Sequence, residues 1–150
     1  MRPTAVETGL RGQGRGTAGV RALDLDSSAF VKVLFAKPES GALREFLSRR
    51  PERRVSSAIL RTEALRAVRH LGSDALATVR DGLRNVDLVA IDDRILDAAG
   101  VLVPRILRTL DAIHVATALS IGDDLAEIVT YDDRMTEAAR LLGLQTMSPR

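Results

Sequence analysis

From residue 22 onward short apolar runs alternate with stretches of helical period, and this alternation restricts the possible folds more than any other feature. Runs at 22–26, 55–56, 86–90 and 127–130 have strand length, and 145–147 can add a short edge strand. Helices are predicted over 27–35, 38–48, 58–71, 73–84, 92–99, 109–120 and 132–142. Their limits have chemical causes. Ser27 and Ser28 can accept from the free N–H groups of a first turn, Gly72 can close one helix before Ser73 opens the next, and Pro104 breaks the segment 100–108. In the helix over 58–71, Leu60, Ala64, Ala67, Val68 and Leu71 form the apolar stripe. Such alternation builds a three-layer α/β/α fold, a short and mainly parallel central sheet with helices on both faces. Sites in parallel sheets form beyond the carboxyl ends of the strands. That rule singles out Asp26 and Asp132, each at the end of a strand.

Composition narrows the chemistry. A chain of 150 residues, 45% apolar and 28% charged, suits one globular domain. No run approaches the roughly 18 apolar residues of a membrane span. Arg2 has no apolar run behind it, so no secretory signal is expected, and the lack of Cys fits a reducing cytoplasm. Without Cys there is neither a disulfide scaffold nor a thiol nucleophile, and two His are too few for a multi-His zinc site. Any metal would therefore be held by oxygen. All basic residues except Lys32 and Lys37 are Arg, a bias that suits phosphate or carboxylate partners and equally a GC-rich genome. Residues 1–19 hold five of the eleven Gly and no apolar period. They read as a flexible extension to a domain over 20–150, with Val20 as an alternative start.

Four carboxylates stand out. Asp26 and Asp132 are placed either to cap the helices that follow or to serve a site. Asp111 is the only acid in an otherwise apolar helix, whose burial would make an unpaired carboxylate costly. Glu63 borders its helix's apolar stripe, while Arg66 and Arg69 project away. Together these are the hard oxygen ligands that Mg²⁺ or Mn²⁺ takes. Ser28 can orient a carboxylate or cap a helix, and His114 reads as a core histidine rather than a ligand.

Four segments carry a resemblance: Leu25-Asp26-Ser27-Ser28-Ala29-Phe30-Val31-Lys32, Thr62-Glu63-Ala64, Leu110-Asp111-Ala112-Ile113-His114-Val115-Ala116-Thr117-Ala118, and Thr130-Tyr131-Asp132-Asp133-Arg134. In order and spacing, over about 23–144, they resemble a PIN domain, and most nearly the VapC toxins of bacterial toxin–antitoxin modules. The resemblance implies a metal-dependent endoribonuclease, a hydrolase of RNA phosphodiester bonds using Mg²⁺, with Mn²⁺ as the alternative. It assigns catalysis to Asp26, Glu63, Asp111 and Asp132, with Asp26 and Asp111 as metal ligands and Glu63 and Asp132 as further ones. The extra acid Asp133 leaves the fourth position with a rival. The resemblance further implies an RNA substrate, a VapB-like antitoxin that covers the site with an inserted Arg or Lys, and a homodimer.

Two other readings compete. One is a PIN-like module that binds RNA or protein without cutting, for which the basic turn Arg49–Arg54 would serve if it is more than a solvated turn. The other takes Asp24-Leu25-Asp26 as the nucleophile motif of a haloacid-dehalogenase-like phosphatase, but both lysines fall too early for that chemistry. An antitoxin groove is expected beside Phe30, Leu34, Phe35, Leu43 and Phe46, with one or two of them exposed.

Overall fold

The computed structural model describes residues 20–150; the extension expected over 1–19 lies outside them. Strand β1 (Ala22–Leu25) leads through α1 (Ser27–Leu34) and α2 (Ser40–Ser48) to β2 (Arg53–Ser57). Helices α3 (Leu60–Val68) and α4 (Ser73–Leu83) precede β3 (Asp87–Val89), and α5 (Asp93–Gly100) and α6 (Thr109–Ile121) precede β4 (Leu125–Val129). Helix α7 (Asp133–Leu141) and β5 (Thr146–Met147) complete the described chain. The five strands are all parallel, in the order β3-β2-β1-β4-β5. Every carboxyl end therefore lies on one edge, and β1 is central.

Side chains on a strand alternate between faces, and the core divides accordingly. Leu23 and Leu25 of β1 pack with Ala29, Leu43 and Leu47 of α1 and α2. Ile128 of β4 packs on the opposite face with Val115, Ala118 and Met135 of α6 and α7. Asp24 lies between Leu23 and Leu25 and in register with Ile128, so it points toward α6. A third cluster joins α1 to α3 and α4 through Phe30, Leu60, Ala64 and Val79. Gly82 allows this approach: a Cβ there would come within 2.8 Å of the Leu34 side chain.

Two local expectations are corrected. The helix predicted over 58–71 ends at Val68 and tightens into a 3₁₀ turn (Arg69–Leu71) before Gly72 reverses the chain at φ 97°. That tightening rotates Leu71 into solvent, 57% exposed, and Ala67 is exposed as well, so neither belongs to the buried stripe. The apolar residues expected at an open groove are also covered. Phe30 and Leu43 are buried, and Leu34, Phe35 and Phe46 are half-buried, because α1 is enclosed by α2 on one side and by α3 and α4 on the other. Exposed apolar side chains occur instead near the α5–α6 connection, at Leu96, Val101, Val103, Ile106 and Leu110.

The basic turn has an internal structural role at the amino edge of the sheet. Arg50 bridges Glu52 at 2.8 Å and Glu127 of β4 at 2.9 Å, tying the turn to the sheet. Arg54 donates to the backbone carbonyls of Leu47, Arg50 and Glu52. Arg49 pairs with Glu45, and Arg53 pairs with Asp87.

Candidate active site

At the opposite edge the chain leaves β1 at Asp26, which is 2% exposed and caps α1. Its Oδ1 accepts from the Ala29 N–H at 2.9 Å and from the Ser28 hydroxyl at 2.7 Å, while its Oδ2 accepts from the Thr130 hydroxyl. Burial raises its pKa, against the lowering effect of these three bonds. Capping and site chemistry are thus compatible, since the cap occupies one oxygen and leaves lone-pair capacity on the other.

Ser28 and Thr130 connect the ends of the two central strands. The Ser28 hydroxyl accepts from the Tyr131 N–H at 3.0 Å, and the Thr130 hydroxyl accepts from the Asp132 N–H at 3.0 Å. Each hydroxyl donates to Asp26 while receiving from the loop after β4. Thr130 escaped the sequence reading because a hydroxyl beside the acids of the fourth motif has no local signature of its own. Asp132, half-buried, caps α7 through Oδ1, which accepts from the Arg134 N–H at 2.8 Å and the Met135 N–H at 3.2 Å. Asp133 is exposed at the start of α7. Of the two adjacent acids, it is the charge of Asp132 that acts on Asp111.

Helix α6 is buried continuously from Ala112 to Ala118, as an all-apolar helix should be, and presents Asp111 half-buried in its first turn. Burial raises the Asp111 pKa, and the negative charges of Asp132 and Glu63 raise it further. Glu63, half-buried in the first turn of α3, hydrogen-bonds through Oε1 to Nε2 of His114. His114 is thus buried in the core, as expected, but it also holds one of the four acids. Burial alone would lower its pKa; the bond to Glu63 and the surrounding carboxylates outweigh that and raise it.

Ends and starts of separate elements therefore bring Asp132 and Glu63 within electrostatic reach of Asp111, while the charge of Asp26 acts on His114. Their donor chemistry fits a hard divalent cation. Asp26, Glu63 and Asp132 are each anchored by protein donors, and among the described residues Glu63 Oε2 and Asp132 Oδ2 receive no hydrogen bond. The repulsion felt at Asp111 is what a cation would relieve. Among the described residues no three acid or imidazole groups stand at a spacing that already encloses one ion.

Asp24 is 1% exposed, and neither of its oxygens has a hydrogen-bond partner. Burial pushes its pKa up to about 7, opposed by His114 and reinforced by Asp26. A carboxylate sealed beneath α6 cannot meet a substrate, which removes the basis for reading it as a phosphatase nucleophile. The sequence held a signal for something else here, a lone acid inside the fully buried strand β1.

The family model for the PIN domain matches residues 25–141. Ribonuclease VapC46 of Mycobacterium tuberculosis is 50% identical over 128 residues, which span 85% of this chain and 98% of that protein. A toxin–antitoxin complex from Klebsiella pneumoniae includes a chain similar in fold, with a TM-score of 0.66 at 20% identity over 86% of this chain and 98% of that one. VapC20 of Mycobacterium tuberculosis, described as a sarcin-ricin loop cleaving toxin, gives a TM-score of 0.65 at 15% identity over 77% and 94% of the two chains. At such identities the solved structures speak to the fold alone.

Proposed function

This chain belongs to the PIN-domain family, and from that premise we propose that it is a metal-dependent endoribonuclease toxin of the VapC kind. The reading is supported above all by Asp26, Glu63, Asp111 and Asp132 lying toward the carboxyl edge of the sheet, each on a different element, with the charges of Asp132 and Glu63 acting on Asp111. The near full-length similarity to a ribonuclease agrees with it. A divalent cation, Mg²⁺ or Mn²⁺, would supply charge neutralisation at the phosphodiester and make an attacking water more acidic.

The protein's own groups divide the remaining work. Ser28, Thr130 and the Ala29 N–H keep the Asp26 carboxylate in one orientation, so that little reorganisation is needed when the substrate arrives. Asp111 and Asp132 present negative oxygen from two helix starts, where the helix dipoles favour it. Arg108 and Arg134 are exposed next to these acids in sequence and form no ion pair among the described residues. They are placed to contact backbone phosphates, giving affinity without reading bases.

Cleavage of total RNA by the purified chain, with Mg²⁺, with Mn²⁺ and with a chelator, tests this. Cleavage should require the metal and disappear in Asp111→Asn. Metal-independent cleavage, or an active Asp111→Asn, would refute it; RNA retention without cleavage would favour a binding module. A VapB-like antitoxin would block the site by placing an Arg or Lys among the acids, and co-purification with loss of cleavage is its measurement. Sedimentation of the free chain tests pairing with a second copy.

A further inference from the structure

His114 is a polar side chain within the buried core of α6. It is 1% exposed in the continuously buried part of α6, and its Nδ1 is a buried atom without a hydrogen-bond partner. The other buried side-chain atoms in that condition, among the described residues, are the two oxygens of Asp24, whose charge acts on His114. One polar contact of the imidazole remains, the bond from Nε2 to Oε1 of Glu63, which links α6 to α3. An ionised carboxylate can only accept, so Nε2 carries the proton. The bond occupies one Glu63 oxygen, and the other receives no hydrogen bond among the described residues.

We propose that His114 is a positioning residue for the nuclease site: its Nε2–H fixes the Glu63 carboxylate from behind, so that Oε2 is presented toward the cation and the RNA phosphate. Asp24, buried in β1 beneath α6, lies within electrostatic reach of the same imidazole from inside the core. The proposal rests on the metal-dependent reading above. It adds a role to a residue that touches neither substrate nor cation, in the way that partners of ligating groups orient them.

The test compares His114→Leu with His114→Gln, whose amide nitrogen can donate from a position close to Nε2. Half-saturating Mg²⁺ for RNA cleavage should rise about 10- to 100-fold in His114→Leu and return to within about threefold of wild type in His114→Gln. In a Glu63→Ala background the leucine variant should add no further loss, because the carboxylate that the imidazole holds is already gone. An unchanged Mg²⁺ requirement in His114→Leu, or losses that multiply with Glu63→Ala, would overturn the proposal. A second readout is independent of activity and covers a leucine variant that does not fold. In metal-free protein, the Nε2 proton of His114 should give a slowly exchanging downfield resonance that moves upfield in Glu63→Ala. A resonance that does not respond would refute the contact. Wild-type protein without Mg²⁺-dependent cleavage would instead refute the nuclease reading, and the resonance would then decide the positioning role alone.

Discussion

The two edges of the sheet differ in how far their charged groups are paired. At the amino edge Arg50 has carboxylates on both sides and Arg54 is held by three backbone carbonyls. At the carboxyl edge and just beneath it, Asp24, Asp26 and Asp111 all have raised pKa values, burial being the first cause in each. Basic residues at one edge thus join the turn to the sheet, whereas acids at the other are held against their own electrostatics. A fold retains such an arrangement where chemistry needs it. The contrast also shows how poorly a charge run predicts function: the most conspicuous basic cluster is a structural tie, and the acids are scattered singly through the sequence.

The contrast is most sharply tested by removing acids. Asp111→Asn should reduce cleavage by at least about 100-fold while leaving the metal-free melting temperature unchanged or higher, because it removes a charge repelled by Asp132 and Glu63. Asp26→Ala should abolish cleavage too, but with a clear loss of stability, since three hydrogen bonds, one of them the cap of α1, go with it. Asp26 and Asp111 are therefore not equivalent: one is bound into its helix start, the other is repelled by its neighbours. Thermal melts beside activity assays separate them.

Asp24 gives the next effect. Its folded pKa of about 7 stands above the ordinary 3.8, so the folded state binds this proton more tightly than the unfolded chain. Its contribution is complete below about pH 4 and is lost as pH rises through 7, amounting to about 4 kcal/mol at most. Chelated wild-type protein should lose stability over that interval in denaturant titrations, and Asp24→Asn should flatten the slope. A wild-type slope that persists in Asp24→Asn would assign the effect to other groups.

At the amino edge, Arg50→Ala should lower stability by about 1–2 kcal/mol, because Glu52 and Glu127 then face each other without the guanidinium, and leave kcat unchanged. An activity loss matching that of Asp111→Asn would remove the distinction between the edges. Arg108→Ala and Arg134→Ala should have the smallest effect, a few-fold rise in KM and a shallower salt dependence without a change in kcat.

Much of the fold is legible in local pattern. Strand runs, helix periods and the stops at Gly72 and Pro104 concern neighbours within a few residues, where backbone geometry acts directly. The boundaries moved where a long-range partner intervened. Strand β2 begins at Arg53 because Arg53 and Arg54 find Asp87 and backbone carbonyls, and Leu71 left its stripe because the turn before Gly72 tightened. The apolar side chains of α1 and α2 looked available as a groove only because periodicity does not reveal how many neighbours will cover a helix.

The site divides in the same way. Residue type, order and spacing were enough by themselves to mark four acids, to exclude thiol and multi-His chemistry, and to place Asp26 and Asp132 at strand ends. Only the tertiary structure paired Glu63 with His114 across 51 positions, joined Thr130 to Asp26 across 104, and sealed Asp24 beneath α6. Local sequence dictates which groups a short segment offers, because their spacing follows from backbone geometry. Which offered groups meet depends on the packing of whole elements, and the free energy of a buried polar contact is decided there, by the partner that packing supplies or withholds.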